Sequence, residues 1–157
     1  MKKIIEFIAS GFYSGFLPYA PGTWGTLAAF FISAIIGFLF EKETQIIFIF
    51  ITLSVFVLGV IVSAEAEKES REHDPAWIVI DEFAGSFAVF CFVPVSYLSL
   101  SVGFLFFRIF DIYKPWPINL SQNLHGGWGI MTDDILAGIY AGTVLLMLNR
   151  SINILYL

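Results

Sequence analysis

Residues 44–64 read TQIIFIFITLSVFVLGVIVSA, twenty-one consecutive positions without a charge. A helix needs about 20 apolar residues to cross the hydrocarbon of a bilayer, so this stretch predicts a transmembrane helix and sets the fold class. The rest of the chain agrees. Hydrophobic residues make up 58% of the 157 positions and mean hydropathy is +0.84, above the apolar share of an ordinary soluble domain. Only 13% of residues are charged. Further charge-free runs cover 7–40, 83–107 and 135–149, and the charges collect between the runs at Glu65–Asp74, Asp81–Glu82, Arg108–Lys114 and Asp133–Asp134.

These patterns predict an all-α, polytopic membrane bundle in one domain covering 1–157. It would have about four to five spanning or half-spanning helices and an interfacial N-terminal helix over 2–16. Leu17–Thr26, with two prolines and two glycines, predicts a loop. Helices are expected over about 27–40 and 45–64, the second running on into the charged segment. Others are expected from Trp77 to Phe92, from Ser96 to Ile112, and from Asp133 to 149. Residues 115–131 read as a long loop. Lys2-Lys3 ahead of an apolar stretch imitates a signal peptide, but Glu6 interrupts the stretch and no small-x-small site follows, so no cleavage is expected.

Basic residues flanking the runs orient the bundle. Lys2, Lys3, Lys68, Arg71, Arg108 and Lys114 fall on one side and Lys42 and Arg150 on the other, which makes the first side cytoplasmic. All the charge clusters then share one face. A net charge of −5 excludes a nucleic-acid partner, which would need a basic patch. The single Cys91 sits in an apolar run and reads as a small packing residue.

Carboxylates beside long apolar runs need a physical reason, because an Asp at mid-bilayer costs roughly 2.5–3.5 kcal/mol. Asp81-Glu82 and Asp133-Asp134 each stand where a helix is expected to begin, where acids offset the helix dipole. Thr132 would cap the second pair. The same pairs are also hard oxygen ligands for Mg²⁺, and four acids on one face repel one another without a cation. Arg108, Asp111 and Lys114 recur every third residue on one helical face. They are either an interfacial ion-pair ladder or two cations for a phosphate with an acid beside them. The segment Ala20–Thr26 (APGTWGT) is either a plain turn or an anion-binding loop, whose glycines let backbone N–H groups approach a phosphate at a helix N-terminus. His125, eight residues before the Asp pair, is either a structural histidine or a general acid or orienting group.

Together, YAPGTWGTLAAF (19–30), HDPAWIVIDEFAG (73–85), FRIFDIYKPWPI (107–118) and LHGGWGIMTDDILAG (124–138) resemble the phosphatidylglycerophosphatase A family of bacterial lipid phosphatases. The resemblance covers roughly half the chain, in order. It implies Mg²⁺-dependent hydrolysis of phosphatidylglycerophosphate to phosphatidylglycerol and phosphate, among membrane lipids, in a multi-pass protein of the bacterial cytoplasmic (inner) membrane. Its matched acids are Asp74, Asp81, Glu82, Asp111, Asp133 and Asp134, and its matched partners are Thr23, Arg108, Lys114 and His125.

Within that frame Asp81, Glu82, Asp133 and Asp134 are expected to hold the metal. Asp81, Asp111, Asp134 and His125 are expected to act in catalysis, Thr23, Gly25, Arg108 and Lys114 to bind phosphate, and Asp74 is a secondary candidate. The nucleophile is either a water activated by a carboxylate or one of the aspartates. No Cys-x5-Arg motif surrounds Cys91, since Tyr97 occupies the sixth position after it. A small ion transporter would also bury acids among apolar helices, but near mid-span. A membrane assembly protein would account for the small pairs Ala137-Gly138 and Ala141-Gly142, but not for the converging charges.

Overall fold

The computed structural model describes residues 2–121 and 123–152. Among them the only regular elements are helices: α1 (Lys2–Ala9), α2 (Pro21–Leu39), α3 (Thr44–Ser70), α4 (Ile80–Val89), α5 (Tyr97–Tyr113), α6 (Ile118–Ser121) and α7 (Gly127–Ile152), with a 3₁₀ turn at Ser14–Phe16. Three stretches are long and apolar enough to cross a bilayer: Pro21–Leu39, Thr44–Ser70 and Gly127–Arg150. α4, too short to span, lies inside them, and α5 follows it back with one face packed on α7 and α2 and the other exposed.

Local chemistry explains most boundaries. Ser96 caps α5 by accepting from the Ser99 N–H at 3.1 Å, while the Ser99 hydroxyl accepts from the Ser96 N–H at 2.8 Å; this reciprocal pair satisfies two otherwise orphaned donors. Arg71 and Lys114 end α3 and α5 in left-handed conformation. Two starts differ by more than a turn from the sequence expectation. α2 begins at Pro21, not after Thr26, because proline is tolerated at the first helical position, where its missing N–H would be unpaired anyway. α7 begins at Gly127, six residues ahead of Asp133. A Cβ at Gly127 would run into the Val60 carbonyl oxygen, so this glycine lets α7 start directly against the α3 backbone.

α4 is the most enclosed helix; of its residues only Asp81 escapes full burial. It is packed against α2, α3, α5 and α7. Phe30, Phe48, Phe87 and Phe90 interlock around it with ring centroids 5.3–5.9 Å apart, and Val79 and Phe107 are fully buried. The N-terminal segment folds under its start: the Val79 N–H donates to the Ala9 carbonyl at 2.9 Å. Outward-facing Phe50, Leu53, Val57 and Ile61 on α3 are more than half exposed, the surface a lipid-facing helix presents.

Candidate active site

One end of the bundle gathers the starts of α2, α4 and α7, the end of α5, and the turn after α3. Between them lies a cavity of about 310 Å³ whose walls include Gly22, Thr23, Asp74, Asp81, Glu82, Arg108, Asp111, Lys114, Asp133 and Asp134. Residues from 22 to 134 in the chain thus meet in one space.

Three acids form its floor. Asp81 and Glu82 sit in the first turn of α4, and Asp134 reaches them from α7; one oxygen from each lies within 4.8 Å of the others. Glu82 and Asp134 are buried. Asp81 Oδ1, Glu82 Oε2 and Asp134 Oδ2 are buried and have no hydrogen-bond partner in the structure. An isolated buried carboxylate oxygen is costly, and three together repel. Without a cation, burial and then the neighbouring Glu82 push the Asp81 carboxyl well above the usual range. Burial and then Asp134 raise Glu82 to about 8. An all-oxygen donor set of this kind suits a hard divalent cation, the class to which Mg²⁺ belongs.

Two cations flank the floor, each held by its own acid. Arg108 Nη1 donates to Asp111 Oδ2 at 2.6 Å and to Thr26 Oγ1 at 3.2 Å, and lies 3.9 Å from Glu82 Oε1. Thr26 in turn donates to the Gly22 carbonyl at 2.8 Å. Lys114 Nζ donates to Asp133 Oδ2, and Asp133 Oδ1 accepts the Asp134 N–H at 3.1 Å. Burial works against the Lys114 charge, but the Asp133 bond and the acids beyond it prevail and push the ammonium up to about 12. The stability this pair adds is therefore present below the ordinary lysine value near 10.5 and is lost as pH rises through about 12. Alkaline unfolding should show wild type exceeding Lys114→Met below that window and converging with it above; equal stability of both proteins at pH 8 would refute the pairing.

Several expectations change. Asp133 stands apart from the three-acid cluster, because its carboxylate is committed to Lys114. Asp133 and Asp134 lie in the second turn of α7, so Thr132 is no cap and the dipole does not account for them. Gly25 lies outside the cavity walls; its Cβ would come within 2.7 Å of Val79 Cβ, so it is a packing glycine between α2 and the start of α4. Gly22 is the glycine the site requires, since a Cβ there would collide with Glu82 Oε1 and approach Arg108 Nη1 at 3.4 Å. His125 does not line the acid cavity. It lines another with Glu67 and His73, because the six residues from Gly127 to Thr132 carry the chain along α7 between it and the Asp pair. Thr26 is a site residue that sequence reasoning missed; its place one turn after Gly22 was the available signal.

Comparison with known proteins gives a consistent result. A family model described as phosphatidylglycerophosphatase A matches residues 7–149. Phosphatidylglycerophosphatase A of Haemophilus influenzae is 40% identical over 148 residues, covering 90% of this chain and 89% of the relative. Its namesake in Escherichia coli is 37% identical over 147 residues, covering 92% and 83%. A Bacteroides thetaiotaomicron protein, described as a candidate phosphatidylinositol-3-phosphatase, is 36% identical over 137 residues, covering 85% and 86%. No solved structure matches the chain.

Proposed function

The chain belongs to the phosphatidylglycerophosphatase A family, and from that premise we propose that it hydrolyses the terminal phosphate of phosphatidylglycerophosphate. The products are phosphatidylglycerol and inorganic phosphate, and the reaction is Mg²⁺-dependent and runs at the cytoplasmic face of the bacterial inner membrane. The observation that carries this reading is the set of three unpaired carboxylate oxygens on Asp81, Glu82 and Asp134 beside two tethered cations. The orientation is supported by the basic residues on the cavity side of the bundle, with Lys42 in the turn at the far end.

Asp81, Glu82 and Asp134 would hold the Mg²⁺, which when bound supplies positive charge for the phosphoryl oxygens. Arg108 presents its guanidinium with Asp111 and Thr26 fixing its orientation, so the fork meets two phosphoryl oxygens without reorganising. Lys114, fixed by Asp133, adds a point charge. Thr23, on the cavity wall, offers a hydroxyl donor to the same anion. A water attacks phosphorus in line with the ester bond and passes its proton to a carboxylate. Asp74, exposed at the cavity mouth and outside both ion pairs, is the acid suited to that role. The P–O bond to glycerol breaks, and the departing oxygen takes a proton to become the free hydroxyl.

The direct experiment is phosphate release from phosphatidylglycerophosphate in detergent micelles, with Mg²⁺ or with EDTA. Release that requires the metal is the expected result. Folded protein that releases none under either condition would refute the proposal.

A further inference from the structure

Beside the acid-lined cavity is a second hollow, of about 300 Å³, that the reaction above leaves unused. Glu67, His73, Asn123, Leu124, His125 and Gly126 line it. A third space, of about 210 Å³, has walls in common with both: it shares His73 and Leu124 with the hollow, and Asp74 and Asp133 with the acid cavity. The shared walls put the three in a row.

Their chemistry differs. Six carboxylates and two cations line the acid cavity. In the hollow the one carboxylate, Glu67, is already engaged: it accepts from His73 Nδ1 at 2.7 Å and from the Asp74 N–H at 3.2 Å, fixing the turn between α3 and α4. That leaves the second nitrogen of His73, the Asn123 amide and the His125 imidazole, which are donors and acceptors of low net charge. A lipid headgroup ending in a phosphomonoester on glycerol carries a hydroxyl and then a phosphodiester anion a few bonds inward. The acid cavity commits its cations to the terminal phosphate, whereas the Asn123 amide and the His125 imidazole can donate to that second anion, and His73, with Nδ1 given to Glu67, offers Nε2 as an acceptor for the hydroxyl. Near the hollow, the α3–α7 seam carries Trp128, 57% exposed and 5.7 Å from the Phe56 ring. An indole so placed suits a membrane interface and gives acyl tails an apolar way out.

We propose that Asn123, His125 and the outer edge of His73 form a headgroup subsite for the glycerol hydroxyl and the phosphodiester of the substrate. The acid cavity then receives only the terminal phosphate. This rests on the phosphatase reading above, and the two products of that reaction report the two cavities separately. Phosphatidylglycerol should inhibit through the hollow and inorganic phosphate through the acid cavity. In Asn123→Ala, His125→Ala and the double variant, KM for phosphatidylglycerophosphate and Ki for phosphatidylglycerol should rise about tenfold. Ki for inorganic phosphate should stay within about twofold of wild type on the same scale, with phosphatidylcholine as the surface-dilution control. Both substituted positions are on an exposed turn, and an unchanged melting temperature checks the fold. If both inhibition constants move together, or neither moves, the subsite is overturned. A wild type that releases no phosphate is a separate failure, of the activity itself, and removes the subsite with it.

Discussion

Asp134→Asn is expected to abolish turnover while leaving the protein folded, and Asp81→Asn to do the same. Each carboxylate contributes one unpartnered oxygen to the three-acid floor, and an amide there offers a neutral, weaker ligand for a hard cation. Losing one such interaction at a phosphoryl-transfer centre is worth on the order of 4 kcal/mol, or about 10³-fold in kcat. Stability should move the other way. In EDTA the wild-type floor must either bear like charges or take up protons at a cost, so removing one carboxylate relieves that cost, and the variants should melt no lower than wild type. Their Mg²⁺-dependent rise in melting temperature should shrink or vanish, since only a ligand that binds the native state stabilises it. Phosphate-release kinetics and thermal unfolding with and without Mg²⁺ check both halves. Wild-type turnover in both purified variants would remove these acids from the mechanism.

Gly138→Leu should cost the fold itself. A Cβ at Gly138 would strike the Gly85 carbonyl oxygen and lie 2.9 Å from its carbon and 3.0 Å from Ala88 Cβ. On the other side, a Cβ at Gly85 would meet the Asp134 carbonyl oxygen and come within 2.6 Å of Phe107 Cε2. α4 and α7 therefore touch backbone to backbone, the close approach that small residues allow between membrane helices. A backbone wall cannot swing aside as a side-chain tip can, so a larger residue must part the helices. Overpacking costs about 1–3 kcal/mol and sometimes more, and this site belongs at the upper end. Parting α4 from α7 would also separate Asp134 from Asp81 and Glu82. Folded yield in detergent should collapse for Gly138→Leu, and Gly138→Ala should melt below wild type with reduced activity. Wild-type melting and turnover in the leucine variant would disprove the tight contact.

The sequence expectations that held and those that did not separate along physical lines. The transmembrane character of α3 was legible because apolar length is a local property with one dominant consequence in lipid. The limits of α5 were legible because Ser96 is a strong cap and Pro115 follows Lys114. The start of α2 was misread because a proline-glycine pair looks like a loop until its position inside a first helical turn is known. The start of α7 was misread because Gly127 and Gly129 are poor helix formers by themselves; packing against Val60 and against the Leu124 carbonyl outweighs that propensity. His125 was placed by its distance along the chain from the Asp pair, and that distance does not measure separation in space.

By itself, then, the sequence determined the all-helical membrane class, the common face of the charged clusters and the identity of the acids, since each follows from residue type and spacing within one segment. Only the tertiary structure decided how those acids divide their work. Whether a carboxylate joins Asp81, Glu82 and Asp134 in the floor, or neutralises a cation as Asp111 and Asp133 do, depends on which helices approach closely enough to bury it. The glycines of α2, α4 and α7 set that approach through contacts between residues far apart in the chain.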